Sequence, residues 1–102
     1  LKEDVMPKVL LYITAKIIWT FLFWGTDANE NRAHVHVGKK GTIRLAKIWL
    51  EPTISVADKG SLTDAQINSV KEIATKYRAE LLNQWQRFKN GDKIKMLKIK
   101  KQ

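Results

Sequence analysis

The chain has no cysteine. Disulfides, thiol nucleophiles and thiolate metal ligands are therefore excluded, and a reducing compartment is allowed. Acidic residues are scarce: ten Asp and Glu stand against nineteen Lys and Arg, for a formal charge of +9. A long uninterrupted apolar run is missing too. The richest stretch, residues 9–24, is interrupted by Lys16 and falls short of the roughly 20 residues that a bilayer-crossing helix needs. No small-residue cleavage site follows it, and Trp19 and Trp24 sit inside it, so no signal peptide is expected. No internal repeat or interdomain linker is visible. The expected location is cytoplasmic, with no membrane partner.

What is present suits one domain. The 102 residues are 44% hydrophobic and include four Trp, enough to bury a core. Leu1 to Asp4 is polar, whereas Met6-Pro7 reads as a natural beginning, so residues 1–5 read as an extension. Val9–Ile13 is β-branched and apolar, and Thr14-Ala15-Lys16 reads as a turn. Ile17–Trp24 is the strongest strand candidate. Its two faces (Ile17, Trp19, Phe21, Phe23 against Ile18, Leu22, Trp24) are both apolar, which predicts a central strand covered on both sides. Gly25–Arg32 reads as a polar loop. Gly38-Lys39-Lys40-Gly41 is a hairpin signal. Thr42–Leu50 reads as a strand whose apolar phase slips near Ala46-Lys47, as a β-bulge would cause. Ile54 and Val56 suggest one more short strand after Pro52.

The period then changes. Thr63-Asp64-Ala65-Gln66 matches a capping box, with Leu62 and Ile67 placed as a hydrophobic staple. Apolar residues recur three or four apart from Ile67 through Val70, Ala74, Tyr77, Leu81 and Trp85 to Phe88, and Gly91 closes the pattern. One helix over 64–89 would be about 39 Å long, more than so small a domain needs. Either it breaks near Tyr77-Arg78, or its far end packs on something else, such as a second copy. The expected fold is α+β: an antiparallel sheet of about four or five strands packed against this long C-terminal helix. Residues 6–91 form the single domain and residues 92–102 a basic tail.

Both histidines fall in Ala33-His34-Val35-His36-Val37. On a β-strand they share one face, opposite Ala33, Val35 and Val37. Two imidazoles supply half of a zinc or nickel sphere, and Asp27, Asn29 or Glu30 of the adjoining loop would have to add to it. His pairs on strands also serve as ordinary polar faces, so no metal and no cofactor is expected. A histidine beside a carboxylate can act as a general base, but no nucleophile with a matching role is evident, and the reading leans away from an enzyme. Asp27, Asn29, His34 and His36 are instead expected to form an exposed binding surface.

The charge is concentrated. After Gly91, five lysines stand against Asp92, a local +4, and the rest of the chain sums to +5. Lys39, Lys40, Arg44, Lys95, Lys98 and Lys100 are the candidate phosphate contacts of a nucleic-acid-binding alternative. The plainer reading of the tail is an edge strand or solubilising end, because Ile94, Met96 and Ile99 alternate with lysine. Trp49, Tyr77, Trp85 and Phe88 are anchor types for a protein partner, which residue by residue are more often core.

The ordered motifs Met6-Pro7, His34-Val35-His36-Val37, Ala46-Lys47-Ile48-Trp49-Leu50-Glu51-Pro52 and Glu80-Leu81-Leu82-Asn83-Gln84-Trp85 resemble a small prokaryotic family, domain of unknown function 4160. The resemblance runs from about Met6 to Gly91. The loop Asp27–Ala33 departs from it, lacking a first histidine and a proline pair; a third histidine that completed a site in relatives would be missing here. The resemblance implies an accessory role in toxin–antitoxin gene pairs, beside another small protein. The expectation is thus a non-catalytic binding module that engages another small protein or a second copy. Nucleic-acid binding through the basic surface and tail is the alternative. A metal-dependent enzyme using His34 and His36 is the second.

Overall fold

The computed structural model describes residues 6–101; the expected extension at residues 1–5 lies outside them. Six strands form one sheet: β1 (Lys8–Ile13), β2 (Ile18–Leu22), β3 (His34–Gly38), β4 (Ala46–Trp49), β5 (Ser55–Asp58) and β6 (Leu97–Lys100). Two helices, α1 (Asp64–Lys76) and α2 (Arg78–Lys89), lie between β5 and β6. The sheet order is β5-β4-β3-β2-β1-β6. The fold class is α+β, as expected, but the sheet has six strands where about four or five were expected, and two further expectations are corrected.

First, the sheet is mixed. Consecutive strands β1 to β5 pair antiparallel, whereas β6 pairs parallel with β1 (Leu10↔Leu97, Tyr12↔Ile99). The chain crosses the sheet through both helices before β6 begins, and a crossover of that kind returns a strand in parallel. The basic residues after Gly91 thus include an edge strand whose Leu97 and Ile99 pack against the core. Second, there are two helices of 13 and 12 residues instead of one long one. A straight rod of about 39 Å would overshoot a molecule whose longest extent is 33 Å. The chain bends at Tyr77 (φ −107°, ψ 24°). The Tyr77 ring meets Tyr12 there (6.1 Å between centroids), and the Arg78 guanidinium donates to the Leu50 and Pro52 carbonyls.

Register defines the two faces of the sheet. Tyr12, Trp19, Phe21, Val37, Val35 and Ile48 lie on the face that packs against α1 and α2, where Ile67, Val70, Ala74 and Leu81 complete the core. The opposite face carries Leu11, Ile13, Ile18, Thr20, Leu22, His36, His34, Lys47 and Trp49. β2 is central in the sheet but is not covered on both sides: Ile18 and Trp24 are 50% and 41% exposed. β4 is shorter than the Thr42–Leu50 expectation. Residues 42–45 leave the ladder, Ile43 is exposed, and Arg44 exchanges hydrogen bonds with Ser61 instead. The register irregularity falls between Lys47 and Ile48, beside β5. Gly60 is needed at that join: its φ is +62°, and a Cβ there would sit 2.5 Å from the Arg44 carbonyl oxygen. No helix among the described residues is long and apolar enough to cross a membrane.

Candidate metal centre

The loop after β2 is more ordered than a polar linker. Gly25–Asn29 forms a 3-10 turn, held by its own carboxylate. Asp27 Oδ2 accepts from the Trp24 backbone N–H at 2.7 Å, and the Asp27 N–H donates to the Trp24 carbonyl at 2.9 Å. Lys89, at the end of α2, donates from Nζ to the Ala28 and Glu30 carbonyls at 2.8 and 2.7 Å. This tie holds the turn beside the histidine face of the sheet, and the Asp27 side chain turns inward, where it is buried.

There it meets the histidines. His34 Nε2 lies 3.1 Å from Asp27 Oδ1, and His36 Nε2 lies 3.2 Å from Asp27 Oδ2. Both imidazoles are buried, at 0% and 4% exposure, which corrects the expected exposed surface. The turn and the neighbouring aromatics account for the difference: Trp24 stacks flat on His36 (3.9 Å, 8°), and Trp49 and Trp85 approach His34 at 5.7 and 5.0 Å. Asn29 is exposed and stands outside the cluster. Glu30 lies at its edge, with Oε1 3.9 Å from His34 Nδ1 and 3.5 Å from Lys47 Nζ. A cavity of about 280 Å³ opens beside it, lined in part by Trp24, Thr26, His36 and Lys47.

The proton arrangement is constrained. His34 Nδ1 lies 3.0 Å from the Arg32 carbonyl oxygen, so it must carry the hydrogen and donate. The remaining nitrogen, Nε2, faces a carboxylate that can only accept. Despite the short separations, neither His34 Nε2 nor His36 Nε2 makes a hydrogen bond among the described residues. Burial by itself would raise the Asp27 carboxyl, but His34, His36 and the Trp24 N–H outweigh it and hold that carboxyl well below the usual range. Burial would likewise lower the His34 imidazole, yet the Asp27 carboxylate and the Arg32 carbonyl hold it above its ordinary value. Both directions describe a site that favours a positive charge between the three side chains.

A cation can supply that charge without a ring proton. One ligand atom from each of Asp27, His34 and His36 lies within 4.8 Å of the others. Two imidazole nitrogens and one carboxylate oxygen are a donor set suited to zinc and other first-row divalent ions. The His34–Arg32 bond is the outer contact that fixes a ligating tautomer.

A family model, domain of unknown function (DUF4160), matches residues 18–86. The chain belongs to this family. The DUF4160 match spans β2 through most of α2 and so contains Asp27, His34 and His36. No curated protein and no solved structure matches the chain.

The basic residues of the nucleic-acid alternative are divided among several elements. Lys39 and Lys40 lie in the turn after β3, and Arg44 is engaged with Asp58 at 2.8 Å. The Lys95 backbone exchanges hydrogen bonds with the Gln84 side chain. Lys98 and Lys100 lie on β6. Sequence reasoning missed Trp24 and Lys89 as organisers of the site. Lys89 sits at a helix end, where any lysine is unremarkable, and nothing in its spacing points to a loop 59 residues away.

Proposed function

We propose that this DUF4160 chain is a divalent-metal-binding module, with Asp27, His34 and His36 as the protein ligands and further coordination positions open toward the adjacent cavity. The observation that carries the reading is the pair of buried, unpartnered Nε2 atoms converging on one carboxylate at 3.1 and 3.2 Å. Buried polar atoms are nearly always satisfied, and a shared cation satisfies all three groups together. A bound divalent ion would lower the pKa of a coordinated water or hold an anionic ligand. The chain's own residues orient the ligands: Trp24 fixes the His36 ring plane, Arg32 fixes the His34 tautomer, and Lys89 anchors the turn bearing Asp27.

Untagged protein, dialysed against Co(II) or Zn(II) and washed, is expected to retain one equivalent of metal. The Co(II) form should show visible d–d absorption with imidazole ligation. His36→Ala and Asp27→Asn should lower affinity by at least about tenfold. Wild-type protein that is folded yet retains no stoichiometric metal, with Asp27→Asn indistinguishable from it, would sink the reading.

A protein-partner reading is supported separately by large apolar side chains left in solvent, Ile43 at 91% and Met96 at 41% exposure. It fits the accessory role in toxin–antitoxin gene pairs, and the cytoplasmic setting, that the family resemblance implies. Mass spectrometry of proteins that co-purify from the native source at low salt tests it; a chain that elutes alone as a monomer counts against it.

A further inference from the structure

The sheet face that carries the histidines extends well beyond the metal ligands. Lys98 and Lys100 of β6 are register partners of Leu11 and Ile13, and through them of Thr20 and Ile18, so all project to this face. Lys8, paired with Leu22, projects there as well. All three lysines are exposed. Asp58 pairs with Arg44 at 2.8 Å and Glu30 lies 3.5 Å from Lys47, while β1, β2 and β6 carry no Asp or Glu. Among the described residues, the β2-β1-β6 part of the face is therefore net positive. At its far end lies Trp24, with one side of the indole on His36 and 41% of the residue exposed. From Trp24 to Ile18 is six residues, about 20 Å along the strand direction, long enough for several nucleotides. Half-buried Leu11 and Ile13 floor the path between.

We propose that this face binds single-stranded nucleic acid, with a base stacked on the outer side of Trp24 and the phosphates following Lys8, Lys98 and Lys100. A flat aromatic surface joined to a basic track is the usual means of holding unpaired bases without sequence preference, whereas the bases of a duplex are already stacked on one another. A second copy of this chain is disfavoured as the occupant, because it would set these lysines against their own kind. The proposal stands on the sheet face and does not depend on metal.

The test is fluorescence anisotropy with a labelled oligothymidylate, in EDTA, on protein whose fold is checked by circular dichroism. If chelation unfolds the chain, the zinc-loaded protein serves for the same comparison. With three phosphate contacts on a single strand, affinity should fall about twentyfold between about 50 and 200 mM salt. Lys98→Glu with Lys100→Glu should weaken binding at least about tenfold, and Trp24→Ala about tenfold. Lys39→Glu with Lys40→Glu should leave it within about twofold, since a turn outside the face contributes little. The proposal is overturned by absence of salt-sensitive binding in the wild type. It is equally overturned if the Lys39/Lys40 pair matters and the Lys98/Lys100 pair does not. Equal competition by duplex or by polyglutamate, indifferent to Trp24→Ala, would assign the face to a generic polyanion or an acidic protein. Failure here leaves the metal reading intact, and Asp27→Asn protein that loses metal but keeps oligonucleotide binding separates the two.

Discussion

Asp27 accepts from the Trp24 N–H, approaches two imidazoles, and is buried. Its effect on stability in the absence of metal depends on pH in a defined sense. The Asp27 carboxyl is depressed from its ordinary 3.8, so its contribution is present above that value and is lost as pH falls toward the folded pKa. The His34 imidazole is raised from its ordinary 6.5, so its contribution is complete below that value and is lost as pH rises through the folded pKa. Chelated protein should therefore gain most from the pair between about pH 4 and 6.5, measured by urea unfolding across a pH series. Asp27→Asn should cost about 3 kcal/mol in that window and flatten both limbs. An unchanged pH profile would mean that the pair does not contribute to folding.

The start of α1 is the element whose local sequence and structure agree most closely. Thr63 Oγ1 accepts from the Gln66 N–H at 3.1 Å, and Gln66 Oε1 accepts from the Thr63 N–H at 2.9 Å. Leu62 and Ile67 on either side of the cap are both buried. Thr63→Ala should lower unfolding free energy by about 1 kcal/mol, seen as a shifted urea midpoint with an unchanged slope and no change in metal binding. Such an element was legible because a capping box acts within four residues. The bend at Tyr77 was legible only as one of two options. The helical stripe runs through Tyr77 without interruption, and what bends the chain is the limited length of the molecule together with Arg78 reaching to Leu50 and Pro52.

For the molecule as a whole, the stretch after Gly91 belongs to the sheet. The Gln84 amide, buried in α2, donates to the Val9 and Lys95 carbonyls and so ties the approach to β6 to the core. Leu97 and Ile99 pack on that core, and the Lys101 N–H continues the ladder to Ile13. Truncation after Gly91 should cost about 3 kcal/mol or more from lost apolar burial alone. It would also expose the β1 edge to self-pairing, read by urea unfolding and size-exclusion chromatography. A truncated chain as stable and monomeric as the full one would show that β6 is dispensable. Truncation is accordingly a poor probe of what the lysines bind, and charge reversal at Lys98 and Lys100 is the cleaner one.

Sequence by itself determined the features whose causes are local or periodic. These are the α+β class, the α1 cap, the turn at Gly38–Gly41, the shared face of His34 and His36, and the family. Only the tertiary structure decided that β6 joins in parallel, because a crossover's direction depends on where two helices lie and not on the strand's residues. It also decided that the histidines are buried beside Asp27. Strand alternation told which face they share, but what covers that face depends on Lys89 drawing the Gly25–Asn29 turn inward across 59 residues of chain. The missing loop histidine read as a gap in the site. Folding selects Asp27 from the three loop candidates, setting it against both imidazoles while its side chain caps its own turn, and that choice waits on the placement of the turn against the sheet.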